Sequence, residues 1–155
     1  MPFSFINTVA SWMLKKRIHE IDLFIKYPID VQNDQLKNLI TFAKNTEFGK
    51  KYEFSSIDNY QTFKERVPSF TYEEFFPTIN RTIKGEQNIF WPEKIKWFAQ
   101  SSGTTNSKSK FIPVSNSSLD GCHFKGGKDM LCFYLNNNES SKMFLGKSLR
   151  LGGSR

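Results

Sequence analysis

Apolar side chains recur at helical spacing through the first half of the chain. Leu14, Ile18, Ile21 and Ile25 follow one another at intervals of four, three and four, which places them on one helix face. Tyr27-Pro28 ends that helix, because proline disfavours helical backbone in the residue before it. A second helix is expected from Asn33 to Lys44, with Leu36, Leu39, Ile40 and Ala43 on one side. Ser56-Ile57-Asp58 offers the start of a third, carrying Tyr60, Phe63 and Val67 and stopped by Pro68. Thr71-Tyr72-Glu73-Glu74 has capping-box spacing, a hydroxyl followed three residues later by glutamate. Ile79 and Ile83 carry that stripe on to Gly85.

The pattern changes near residue 88. Asn88-Ile89-Phe90-Trp91 and Ile95-Lys96-Trp97-Phe98-Ala99 read as strands on either side of Pro92, and Phe111-Ile112-Pro113-Val114 as another. Ser115 or Ser117 can cap a helix reaching about Tyr134, with Leu119, Cys122, Met130 and Phe133 facing inward. Asn136-Asn137-Asn138 breaks it, and Met143-Phe144-Leu145 to Leu149-Arg150-Leu151 reads as a last strand. Residues 1–87 are therefore expected to be mostly helical, and 88–155 to run strand, loop, strand, helix, strand. The fold class is α/β, a helical layer leading into a sheet left incomplete, and the expectation is a partial N-terminal domain.

Composition narrows the classes. Among 155 residues, 38% are hydrophobic, with 16 Phe, 5 Tyr and 3 Trp, which supplies a core and argues against disorder. No apolar run is long enough for a membrane-spanning helix. Lys15-Lys16-Arg17 follows the apolar start, whereas a secretory signal needs its positive charge in front. Cys122 and Cys132 lie on one expected helix, about 15 Å apart by its rise, too far for a disulfide. Free thiols fit a cytoplasmic protein. His19 and His123 lack partners at metal-binding spacing, and the capping role of Glu74 accounts for Glu73-Glu74 without acid–base chemistry. The net charge of +7 is spread along the chain with no basic run longer than three, which suits a solvated surface better than a nucleic-acid groove.

One loop has the parts of a phosphate site. In Gln100-Ser101-Ser102-Gly103-Thr104-Thr105-Asn106-Ser107-Lys108-Ser109-Lys110, hydroxyls flank a glycine and two lysines follow. Backbone N–H groups of a tight turn point at anionic oxygens, hydroxyls add donors, glycine permits close approach and lysine brings charge. A Walker A loop is excluded, since Ser107 stands where that motif has its second glycine. Gly121 to Lys128 fails as well, because Gly127 occupies the lysine position. The same composition also makes an ordinary solvated linker, but the strand-like flanks and the lysines favour phosphate binding.

Ser101-Ser102-Gly103-Thr104-Thr105, followed by Lys110 and Phe111-Ile112-Pro113-Val114, resembles the first nucleotide motif of the acyl acid–amido synthetases, the auxin-responsive promoter family of adenylate-forming enzymes. Thr46-Glu47-Phe48-Gly49-Lys50, Arg66-Val67-Pro68, Gly85-Glu86-Gln87-Asn88, Trp91-Pro92, Gly126-Gly127-Lys128-Asp129 and Leu151-Gly152-Gly153-Ser154 also resemble the family, its bacterial members in particular. Where many plant members have glycine, this chain has Ser107, and the later family motifs Tyr-x-x-Ser-Glu and Tyr-Arg-x-Gly-Asp do not occur in it. The resemblance implies an enzyme that activates a carboxylic acid with ATP and Mg²⁺, releasing pyrophosphate, and then passes the acyl group to the amine of an amino acid. It further implies that Ser101, Ser102, Gly103, Thr104 and Thr105 hold phosphates while Lys110 neutralises them. Lys108 joins this set from its position in the loop alone. The partners expected are the carboxylic acid and the amino acid, without nucleic acid or membrane, and a chain of this length is expected to be inactive alone. The alternatives are a small basic nucleic-acid-binding module, using the charge with Trp91, Trp97 and Phe98, and a non-catalytic adaptor domain. Scattered charge counts against the first and the open sheet against the second.

Overall fold

The computed structural model describes residues 2–101, 109–138, 140, 141, 143, 147 and 149. The chain divides into two compact units, one formed by residues 1–26 with 124–155 and the other by Tyr27–His123.

In the first unit, α1 (Pro2–Lys26) packs against a helix over Lys125–Asn137, numbered α7 in chain order. Tyr27-Pro28 does end α1, and the asparagine run ends α7. Ile18 lies against buried Cys132 and Leu135. Burial raises the pKa of the Cys132 thiol. Beside them Arg17 is only 7% exposed. A guanidinium so buried needs its donors met. Its Nε and Nη2 reach the two carboxylate oxygens of Asp129 at 2.8 and 3.0 Å, and Nη1 bonds Glu20. Hydrogen bonds from Arg17 hold the Asp129 carboxyl below its ordinary pKa.

The second unit begins with α2 (Pro28–Ala43), five residues earlier than the apolar pattern indicated, because proline is well suited to a helix's first position. Its core joins Ile40, Ala43, Phe54 and Ile57. Thr46, fully buried, makes the turn into α3 (Glu47–Lys51): its hydroxyl donates to the Ala43 carbonyl at 2.7 Å and accepts from the Gly49 N–H at 2.9 Å. A Cβ on Gly49 would lie 2.1 Å from the Ala43 carbonyl oxygen, so only glycine fits. A 3₁₀ turn (Phe54–Ser56) follows, and α4 (Tyr60–Arg66) is capped by Asn59, whose side chain accepts from the Thr62 N–H at 2.9 Å. The capping box before α5 (Tyr72–Ile83) is formed as expected, with Glu74 accepting from the Thr71 N–H at 2.8 Å. That N–H holds the Glu74 carboxyl below its ordinary pKa.

Several sequence expectations are corrected. Asn88–Trp91 is not a strand: the carbonyls of Asn88 and Ile89 accept from the Glu47 and Phe48 N–H groups at 3.0 and 2.9 Å, satisfying free donors at the start of α3. The first strand, β1, covers Trp97–Gln100 and omits Ile95 and Lys96. It pairs antiparallel with β2 (Phe111–Val114), Gln100 opposite Phe111. After α6 (Asn116–Ser118), a π-helical turn spans Leu119–Phe124. Its wider spacing shifts the helical register, so Cys122, Met130 and Phe133 are exposed, while Cys132 and Leu135 are buried. Ile25, Tyr60 and Ile83 also face outward. The strand expected over 143–151 falls largely outside the described residues. Among those residues no helix is long and apolar enough to cross a membrane.

The turn at Thr46 predicts an ordering of substitutions. Gly49→Ala should destabilise by about 3 kcal/mol or more, since its clash is with backbone. Thr46→Val should cost roughly 1–3 kcal/mol, because it leaves the Gly49 N–H unsatisfied. Urea unfolding of the two variants measures both; a Gly49→Ala protein as stable as the original would contradict the packing described. The ion pair predicts a pH dependence. The depressed pKa of Asp129 means that its contribution is complete above the unfolded carboxylate range, near pH ~3.9, and fades as pH falls through the lower folded value. Asp129→Asn should therefore cost roughly 1–3 kcal/mol at pH 7 and progressively less below pH ~4. Denaturation midpoints of both proteins from pH 7 to 3 should converge; a constant gap would sink this account.

Candidate functional site

The β1–β2 ribbon presents the loop that the sequence singled out. Its base is a closed ring of two hydrogen bonds: the Ser101 N–H donates to the Lys110 carbonyl, and the Lys110 N–H to the Ser101 hydroxyl oxygen, both at 3.0 Å. The structure thus brings Ser101 and Lys110 together. Ser102, Gly103, Thr104, Thr105 and Lys108 lie outside the described residues. Having accepted from Lys110, the Ser101 hydroxyl still has its own proton to donate.

The Lys110 ammonium stands 3.4 Å from a Glu73 carboxylate oxygen and 4.8 Å from the centre of the Tyr72 ring. Tyr72 is fixed in turn, its hydroxyl accepting from the Phe111 N–H at 2.9 Å and donating to the Phe111 carbonyl at 3.4 Å. The first turn of α5 therefore meets the ribbon directly beside the loop. Sequence reasoning missed this pairing. Glu74 does take the capping role assigned to it, but its neighbour Glu73 meets a lysine far away in sequence, and no local pattern announces that.

Behind the ribbon lies a cavity of about 760 Å³ with mainly apolar walls, including Phe42, Phe75, Ile79, Phe90, Trp91 and Ile112. The start of α6 borders it. Ser115 caps that helix by accepting from the Ser118 N–H at 3.0 Å, whereas Ser117 donates through both its N–H and hydroxyl to Glu93, at 3.0 and 3.1 Å. The Trp91 indole N–H donates to the Ser117 oxygen at 2.9 Å. Trp91 is thus committed to the protein's own interior, while Trp97 is exposed. A carboxylate at a helix N-terminus complements the helix dipole.

Other parts of the sequence pattern hold this frame together. Arg81 near the end of α5 bonds both carboxylate oxygens of Glu47 at 2.7 and 2.6 Å and also engages Glu86. Hydrogen bonds from Arg81 keep the carboxyls of Glu47 and Glu86 below their ordinary pKa. Gly85 has φ +99°, a backbone that favours glycine, and the Gln87 side chain accepts from the Ile95 N–H at 2.8 Å. Among the described residues no group of three or more His, Cys, Asp or Glu converges as a metal site.

In chemical terms, a cation and a serine hydroxyl at the base of a donor-rich loop suit an anionic ligand. The family model for the GH3 family N-terminal domain matches residues 17–152. The indole-3-acetic acid-amido synthetase GH3.2 of Arabidopsis thaliana is 32% identical over 106 residues, covering 68% of this chain and 19% of that protein. The 4-substituted benzoates-glutamate ligase GH3.12 of the same plant is 30% identical over 95 residues, 61% of this chain and 16% of the relative. The jasmonoyl-L-amino acid synthetase GH3.5 of Oryza sativa subsp. japonica is 25% identical over 107 residues, 68% of this chain and 18% of its own length. The chain thus spans about a fifth of the length of these curated relatives. Because that family model matches most of this chain, residues 17–152, the chain belongs to the GH3 family.

Proposed function

We propose that the chain carries the first nucleotide-contacting element of an ATP-dependent acyl acid–amido synthetase. The observation that carries this reading is Lys110, whose backbone is hydrogen-bonded to Ser101 at the root of the Ser/Thr/Gly loop and whose ammonium stands beside the Tyr72 ring and Glu73. The relatives named above as amido synthetases and ligases give the reaction class. The donor chemistry fits the ligand: Ser101, Ser102, Gly103, Thr104 and Thr105 would supply hydroxyls and backbone N–H groups to phosphate oxygens, and Lys108 and Lys110 the charge. ATP, when bound, supplies an α-phosphorus that a carboxylate attacks with loss of pyrophosphate, so that an amino acid amine can then form the amide and release AMP. Mg²⁺ reaches such a site with the nucleotide, held largely by phosphate oxygens and water.

The chain's own residues contribute position and charge. A preorganised set of donors costs no reorganisation when negative charge develops at the phosphates. In the adenylation step no side chain of this segment is required as a general base, because the attacking carboxylate is already ionised. The parts of the site given by the later family motifs are not in residues 1–155, so this chain by itself is expected to bind nucleotide without completing amide synthesis.

Lys110→Ala should weaken ATP binding by this chain about tenfold or more, the scale of a lost charge-assisted contact. Calorimetric titration with ATP and Mg²⁺ measures it. An unchanged dissociation constant would remove Lys110 from the site. For the whole protein, ATP–pyrophosphate exchange dependent on a carboxylic acid is the matching assay, tested over aromatic and aliphatic acids, and exchange with none of them would refute the ligase reading.

A further inference from the structure

We infer that Tyr72 is the positioning residue for Lys110, and that Glu73 holds the lysine's ammonium until phosphate oxygens replace it. This rests on the nucleotide reading above and assigns to two residues outside the loop a part in its ligand binding.

The argument starts from the ribbon's register. Gln100 faces Phe111 across the pair, while the bonds between Ser101 and Lys110 close the next position. The N–H and C=O of Phe111 therefore point to the outer edge of β2, where an unpaired edge would otherwise be left to solvent. One phenol hydroxyl meets both groups, at 2.9 and 3.4 Å. Phe111 directly follows Lys110, so this contact fixes the backbone that carries the lysine. The same tyrosine then places its ring face 4.8 Å from the ammonium, within the range of a cation–π contact. Tyr72 thus limits both the root and the tip of the lysine side chain.

Glu73 acts differently. It lies in the first turn of α5, where the helix dipole favours a carboxylate, and its oxygen is 3.4 Å from the ammonium. Glu73 is 74% exposed and Lys110 40%, so the pair is solvated and screened. A weak, water-accessible partner is one that a polyanion can displace. The ring need not leave when this happens, because it borders one side of the ammonium and the N–H donors turned away from it are open to new acceptors. In this arrangement Glu73 competes with the ligand and Tyr72 assists it.

The two roles give opposite signs in one titration of ATP with Mg²⁺. Tyr72→Leu, which removes ring and hydroxyl, should raise the dissociation constant about tenfold, and Tyr72→Phe, which keeps the ring, about threefold. Glu73→Gln should lower it about threefold. In a Lys110→Ala background all three effects should vanish, since each acts through the lysine. Tyr72→Phe preserves the packing, so the test survives even where the leucine variant fails to fold. Its expected signature is faster hydrogen exchange at the Phe111 amide. ATP binding that Tyr72→Phe and Glu73→Gln leave unaltered, or that they alter equally without Lys110, overturns the inference alone. Failure of the original chain to bind ATP overturns the nucleotide reading and this inference with it.

Discussion

Much of the second unit depends on how closely the start of α3 approaches the end of α2. Gly49 has its Cα against the Ala43 carbonyl, and the Thr46 hydroxyl bridges the same carbonyl to the Gly49 N–H. That contact sets Phe48 among a group of rings, with centroids 5.8 Å from Phe75 and 6.1 Å from Phe90. Phe75 and Phe90 are 4.8 Å apart, which places α5 and the segment before the ribbon in one aromatic layer. Tyr72 stands one turn before Phe75, so a backbone-to-backbone approach near residue 46 is transmitted, ring by ring, to the edge of the β1–β2 ribbon.

Local signals in the sequence are well preserved in the fold. The capping box at Thr71, the proline stop after α1, the strand Phe111–Val114 and the hydroxyl cap at Ser115 each depend on a few neighbouring residues, and each is present. What the sequence hid depends on partners far along the chain. Ile89 and Phe90 have the composition of a strand, yet their segment serves as the cap of α3, an arrangement set by residues more than 40 positions earlier. Likewise the inward face of α7 is offset by a π turn, which no 3.6-residue count anticipates. Within the candidate site, residue types singled out the loop, and the structure describes its two ends, Ser101 and Lys110. The Tyr72–Glu73–Lys110 contact was not, because cation–π and ion-pair partners 38 and 37 residues apart leave no periodic trace.

The family-like pattern also separates into two kinds of residue. Thr46, Gly49, Gly85 and Asn88 serve backbone geometry, and Asp129 answers the charge of Arg17. These positions account for features of the fold. The loop and Lys110 are the part on which the proposed anion binding rests. A relative keeping the first set and losing the second would keep these contacts of the fold and lack the proposed site.

The hydrogen-bonded ring between Ser101 and Lys110 has a consequence for variation. Because the Ser101 N–H and hydroxyl join the two ends of the loop through the Lys110 carbonyl and N–H, closing the chain between them carries an entropy cost. That cost grows with the logarithm of length, about 0.6 kcal/mol per doubling. As far as closure is concerned, a change of length between the two ends therefore adds little. The fold sets the gate posts at Ser101 and Lys110.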